Sequence, residues 1–420
     1  MLSIKQYFQN DKIRHFISNM GWLYIMQITM YIFPLITFPY MTHVLEPELF
    51  GVYTYVIAIM TYFQIFWDFG FTLSATRSCA ENSENKQRLS EIVSAVLILK
   101  GGLFIVGIGT LPVISFLSEL LNGQELFLYG MYFAFGINVF LPDYLFRGIE
   151  KMKIFVLRNL LTKGLFTILL IIVVKSSDDF YKLPLIFFVP NLISVIWSFK
   201  IMNIDLDIHF CRPSKKDIFG EFKTSLGYFI SRVSTTASDS LNTILLGGYF
   251  NASTIGIYGV SNSLKNVFCN ACSPLADALF PYTVKNKNFK LIRKILFYLM
   301  PIALIACIVL YVFADRLISL LCGSQYIEAA FYFRMFLYIV FITLPIYVLG
   351  YPALCAMDKA NEANLSVIYA GIFQIIGLLC LILFHIFTMD NVILLTMGSN
   401  TITLLFRVYF CRDILFLHRS

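Results

Sequence analysis

Charge is scarce in this chain. Lysine, arginine, aspartate and glutamate make up 14% of its 420 residues, against about 25% in an ordinary soluble protein, which excludes a surface built for water. External disulfides are missing too: Cys79, Cys211, Cys355 and Cys411 fall on one side of the expected helices, and Cys269, Cys272, Cys307 and Cys380 lie within them. Only Cys322 is left near the other side, with no second cysteine to pair with. Cys269 and Cys272 form a C-x-x-C with neither a second pair nor a nearby histidine, so they read as packing residues rather than metal ligands. The N-terminus lacks a small-residue cleavage site, and the apolar run after Arg14 exceeds the roughly 7–15 residues of a signal core. The first helix is therefore expected to stay. Large loops are also lacking, and Asp205-Leu206-Asp207, a D-x-D of the kind that binds metal and nucleotide sugar, sits in a short connection with no fold around it. These absences argue against a membrane glycosyltransferase or polymerase, and no cofactor or metal is called for.

What is present in abundance is apolar: 58% of residues are hydrophobic and the mean hydropathy is +0.76. Runs near or above the roughly 20 residues that cross a bilayer fall at 15–42, 49–74, 92–118, 125–146, 154–174 and 181–200. Six more follow at 224–249, 254–279, 294–319, 328–354, 363–386 and 391–411. The expected fold is an all-α membrane protein of about 12 transmembrane helices. Its N-lobe would be residues 1–200, its cytoplasmic linker 201–216 and its C-lobe 217–420. An even number of helices per half gives parallel repeats, hence two parallel six-helix lobes of the two-lobed exporter type.

A repeat is legible in the residues themselves. Phe50-Gly51-Val52-Tyr53 lines up with Ile255-Gly256-Ile257-Tyr258, 205 residues later, and Leu73–Arg77 with Ala278–Tyr282 at the same spacing. Gly148-Ile149-Glu150-Lys151 lines up with Ala356-Met357-Asp358-Lys359 at an offset of 208. Matches at two nearly equal spacings point to internal duplication. Loop lysines and arginines, Arg158 and Arg407 among them, gather almost entirely on one side, while the other holds Lys175, Lys182 and Arg316. That asymmetry places both termini in the cytoplasm and accounts for the net charge of +7 without nucleic acid.

Five basic residues remain inside expected helices: Lys100, Lys163, Arg232, Lys265 and Arg334. Each costs on the order of 2.5–3.5 kcal/mol at a helix centre, so such groups face a bundle interior or a wet cavity. Arg334 is near enough to the outer surface to snorkel. Arg232 either neutralises Asp239, seven residues on along the same face, or serves a ligand, and both readings stand at this point. The segment from Ser231 to Thr243 is too polar to face lipid. The next helix adds Asn262, Lys265, Asn266 and Asn270 at helical spacing. Hydroxyls and amides suit a sugar, and cations suit a phosphate. The cationic set is Arg232, Lys265, Lys100 and Lys163, with Thr235, Thr236, Asn242, Asn262, Asn266 and Asn270 as polar lining. Asp68, Asp239, Asp277 and Arg77 are candidates for coupling or gating. Interhelical hydrogen bonding is the plainer alternative for one or two of these polar groups.

Three stretches together resemble a known family: Phe33–Tyr40 (FPLITFPY), Glu46–Tyr53 (EPELFGVY) and Asp68–Thr76 (DFGFTLSAT) are similar to the Wzx-type O-antigen flippases. Phe146–Lys153 (FRGIEKMK) and Ala278–Tyr282 (ALFPY) look like that family as well. The resemblance covers essentially the whole chain. It implies a place in the superfamily that also holds toxic-compound exporters and lipid II flippases, although lipid II flippases usually carry two further helices. It implies an undecaprenyl-diphosphate-linked oligosaccharide as substrate, moved from the cytoplasmic to the periplasmic leaflet of a Gram-negative inner membrane. It also implies an O-antigen polymerase and a chain-length regulator as protein partners. A small-molecule exporter of the same superfamily is the alternative, but such exporters tend to have acidic cavities, and the charges counted here are net basic.

Overall fold

In the computed structural model the backbone is described for residues 11–236 and 238–415, and side chains for these except 11–20, 23, 230–239, 281 and 414–415. The chain divides into two units. The first comprises Met1–Val44 and Val56–Val233, the second Leu45–Tyr55 and Ser234–Ser420. In chain order the helices begin α1 (Asp11–Val44), α2 (Pro47–Asp68), α3 (Phe71–Glu81), α4 (Lys86–Leu117), α5 (Glu125–Gly136) and α6 (Asp143–Gly148). Then come α7 (Met152–Val173), α8 (Leu183–Lys200), α9 (Lys215–Thr236), α10 (Ser238–Gly247), α11 (Ala252–Asn270) and α12 (Ser273–Asn286). The chain continues through α13 (Phe289–Val312), α14 (Ala314–Cys322), α15 (Ala329–Val348), α16 (Ala360–Leu383) and α17 (Met389–Phe410). Among the described residues there is no strand.

Ten helical stretches among the described residues are long and apolar enough to cross a membrane. They match ten of the twelve expected runs to within several residues, and the first half supplies six of them. The two that fall short are 224–249 and 254–279. Helices do form there, as α9 to α12, but hydroxyls, amides and charges dilute the apolar content. The clearest sign of a lipid environment is α13, whose best span has a mean hydropathy of 2.7 with only 6% of it buried. A helix apolar on every side and exposed on nearly all of them needs a hydrocarbon solvent.

In the first unit α1 packs on α7, α8 packs on both α5 and α7, and α3 packs on α6. The expected linker is docked rather than loose. Met202 and Ile208 are buried with Leu89, Ile92 and Val96 of α4, and the backbone N–H groups of His209 and Cys211 donate to Ser90 and Ser94. Asp207 pairs with Lys86 at 3.1 Å, so this carboxylate of the D-x-D is already engaged. The start of α9 also belongs to this unit. Ser214 caps it by accepting from the Asp217 N–H, and Arg88 reaches Asp217 at 2.6 Å. The Ser214 hydroxyl and then the Arg88 guanidinium hold the Asp217 carboxyl below its ordinary range. Two turns on, Ser225 meets Ser74 of α3 at 2.6 Å. These contacts tie the start of α9 to the first unit, which runs to Val233.

The second unit is built around α15, which packs on α11, α13 and α17, while α16 pairs with α17. Gly350, with ψ −125°, breaks the chain just after α15. The basic residue Arg407, expected on the cytoplasmic side, is instead 6% exposed within α17. Its Nη1 donates to the Ile346 carbonyl at 2.5 Å and its Nε to Ser366 at 3.1 Å, filling the gap that the break opens. Arg334 pairs with Asp315 at 2.5 Å.

The duplication is visible in the backbone. Glu150 and Asp358 both adopt left-handed φ, 59° and 62°, and the following residues, Lys151 and Lys359, both donate to the carbonyl five positions back at 2.8 Å. Gly51 and Gly256, matched in the repeat, lie against each other inside the second unit. A Cβ on Gly51 would strike the Ala252 carbonyl, and one on Gly256 would strike the Pro47 carbonyl.

Candidate functional site

Helix α2 ends at Asp68 because Phe69 and Gly70 turn to φ 41° and 81°. Glycine is required at 70: besides its φ, a Cβ there would meet the Ser225 carbonyl and the Phe229 N–H. The turn sets Asp68 inside the first unit, where its carboxylate accepts from Thr72. Lys100 Nζ lies 3.7 Å from Asp68 Oδ1 and 5.3 Å over the Tyr144 ring. At a helix C-terminus such as this, the backbone dipole adds to the carboxylate's hold on a cation. A second pair stands nearby. Arg158 Nη2 is 2.8 Å from Asp143 Oδ2, and Nη1 is 3.5 Å from the Ser194 hydroxyl.

Both pairs line one cavity of about 510 Å³, together with Lys163. Among the described residues Lys163 has no ion-pair partner, so three cations face two carboxylates and the cavity keeps one net positive charge. Gln64, Asn138, Asn159, Thr162 and Asn191 add amides and a hydroxyl, and Trp67, Phe135, Phe166 and Phe187 add ring faces. Chemically this is a chamber for a polar, hydrogen-bonding ligand that carries negative charge.

Lys100, Lys163 and Asp68, named from the sequence, are thus brought together. Arg158 and Asp143 were missed: Arg158 was counted with the cytoplasmic loop cations. The signal was there, since Asn159, Thr162, Lys163 and Phe166 follow Arg158 at helical spacing on an otherwise apolar helix. Lys265 does not line this cavity. It belongs to the second unit, 4% exposed, with Nζ 5.2 Å over the Phe336 ring. Asp277, Arg77 and Asn270 are exposed, and Arg77 pairs with Glu81 at 2.8 Å. Asn262 and Asn266 are half-buried. The side chains of Arg232, Asp239, Thr235 and Thr236 lie outside the described residues.

Asn242, expected as cavity lining, is fully buried in a knot of three helices. Its Nδ2 donates to Thr396 at 3.0 Å, and Gln374 donates both to Asn242 at 3.0 Å and to Thr396 at 3.2 Å. This is interhelical bonding in place of cavity lining. Asn242→Ala is therefore expected to cost about 0.6–1.7 kcal/mol, the scale of such bonds in membranes, read as a lower midpoint in detergent thermal unfolding. Transport by the variant that does accumulate should be unchanged.

A multi-pass helical membrane protein with a buried, net cationic chamber has the build of a transporter, and solved structures share the fold. An inward-facing multidrug resistance MATE family transporter of the MOP superfamily aligns over 96% of this chain and 99% of its own, with TM-score 0.70 and 15% identity. Lipid II flippase MurJ, in an inward closed conformation, aligns over 94% and 87%, with TM-score 0.73 and 11% identity. The family model described as "Polysaccharide biosynthesis protein" matches residues 16–287, and the chain belongs to that family. A relative from Escherichia coli (strain K12) named "Putative O-antigen transporter" is 26% identical over 374 residues, 85% of this chain and 88% of the relative. A second of that name, from Shigella dysenteriae, is 24% identical over 67% of this chain and 70% of its own. The resemblance to Wzx-type flippases is borne out.

Proposed function

We propose that the protein moves an undecaprenyl-diphosphate-linked oligosaccharide from the cytoplasmic to the periplasmic leaflet of the inner membrane, with both termini in the cytoplasm. One observation carries this reading: the chamber that joins Lys100, Arg158 and Lys163 to a wall of amides. The cations hold the diphosphate and the amides replace the sugar's hydrogen bonds to water, whose loss is what bars a headgroup from crossing hydrocarbon. Asp68, bonded to Thr72 and facing Lys100, is the group through which an ion gradient would drive the cycle. The two O-antigen transporter names support the substrate class.

Deleting the gene and extracting lipid-linked intermediates tests the proposal. Long surface polysaccharide should disappear while single-unit lipid-linked oligosaccharide persists on the cytoplasmic face. If the intermediate itself were never made, the protein would be acting in its synthesis and the transport reading would fall.

A further inference from the structure

The polar chamber does not end blindly. Arg158, Thr162 and Pro190 also line a second hollow of about 440 Å³ between α7 and α8. The rest of that lining is almost wholly apolar. Its outer walls are open: Leu161 is 60% exposed, Ile168 55% and Ile193 50%. A buried arginine thus stands where a charged chamber meets an exposed apolar groove. Its Nε has no hydrogen-bond partner among the described residues, so the guanidinium retains a donor beyond those used on Asp143 and Ser194.

We propose that this groove seats the isoprenoid tail of the translocated lipid, with the diphosphate at the Arg158 junction. The inference rests on the function proposed above and adds where the tail goes. In a lipid-linked sugar the tail and the headgroup are joined through the diphosphate. A site for the whole molecule therefore needs a polar room and an apolar slot that share a wall, with a cation in that wall. Arg158 supplies it, and Lys163, five residues on, adds a second cation on the polar side. The tail exchanges lipid neighbours for Leu161, Ile168 and Ile193 at little cost, because neither environment offers it hydrogen bonds. Ordinary phospholipid tails fit the same slot, but a diphosphate brings more charge to the arginine.

The test uses the full chain with p-benzoylphenylalanine at Leu161 or Ile193, and at Ile172 as a control on the same helix outside the groove. Each variant is reconstituted in phosphatidylethanolamine and phosphatidylglycerol vesicles containing undecaprenyl diphosphate, irradiated, and weighed by mass spectrometry. Isoprenoid adducts at Leu161 and Ile193 should exceed those at Ile172 by about tenfold, which corresponds to about 1.4 kcal/mol of preference. Arg158→Gln should remove that excess. Ile193→Trp, a change on an exposed wall that leaves the core intact, should lower the Leu161 adduct to the control level. Phospholipid adducts alone in the groove, or equal isoprenoid labelling at Ile172, overturn the proposal. The gene-deletion result is independent of these. Groove failure with a positive deletion result removes only the tail site, and a negative deletion result with groove labelling leaves a lipid site but removes the transport reading.

Discussion

A Gly51→Val protein is expected to be nearly absent from membrane fractions. The atoms that a side chain at 51 would meet are the Ala252 carbonyl and the Gly256 N–H, which are backbone and cannot rotate aside. The start of α2 must separate from α11, forfeiting the buried contacts of Phe50, Val52, Ile255 and Tyr258. Overpacking costs about 1–3 kcal/mol where side chains can adjust, so a backbone clash belongs at or above the top of that range. Gly102→Val is the matched control: nothing stands within 4 Å of its added Cβ, and it should accumulate normally. Immunoblots of membrane fractions decide the matter, and normal levels of Gly51→Val would mean that the two helix starts are not held together.

Arg158→Ala is expected to abolish transport and to destabilise the first unit. Removing one partner of a buried pair costs about 3–5 kcal/mol. The Asp143 side chain is 27% exposed, so water takes up part of the orphaned charge and the low end of that range applies. Adding Asp143→Asn removes the orphan. The double variant should recover most of the lost protein, measured by immunoblot and thermal unfolding, yet still fail to restore surface polysaccharide. Recovery of both would reduce the pair to a structural clamp. Recovery of neither would mean that the damage lies in packing against the Phe155 ring, whose centroid is 5.6 Å from the guanidinium carbon.

Much of this was legible in the residues. The membrane class, ten of the spans and the duplication follow from apolar length and from short matched motifs, because lipid penalises every exception to those patterns. Lys100, Lys163 and Asp68 stood out for the same reason, as charges deep in apolar runs. Arg158 and Arg407 did not, since each lies near a helix end where a snorkelling cation and a buried one look alike in sequence. Asn242 was misread because an amide that bonds across helices has the same composition as one that faces water. Which partner it finds depends on Gln374 and Thr396, far away in the chain. The extent of the first unit was hidden for a related reason: polar contacts such as Ser74 to Ser225 leave no periodic trace.

The close approach of Gly51 and Gly256 is reciprocal: 51 meets 252 and 256 meets 47, positions related by the same 205 residues. A patch that fits its own copy is the kind a two-fold dimer uses. A half-length ancestor carrying one such helix start would already hold both sides of the joint. Its two copies would need no new surface once joined in one chain. The two faces now differ in sequence, Pro47 standing where the other has Ala252, while the glycine at the crossing is the same in both.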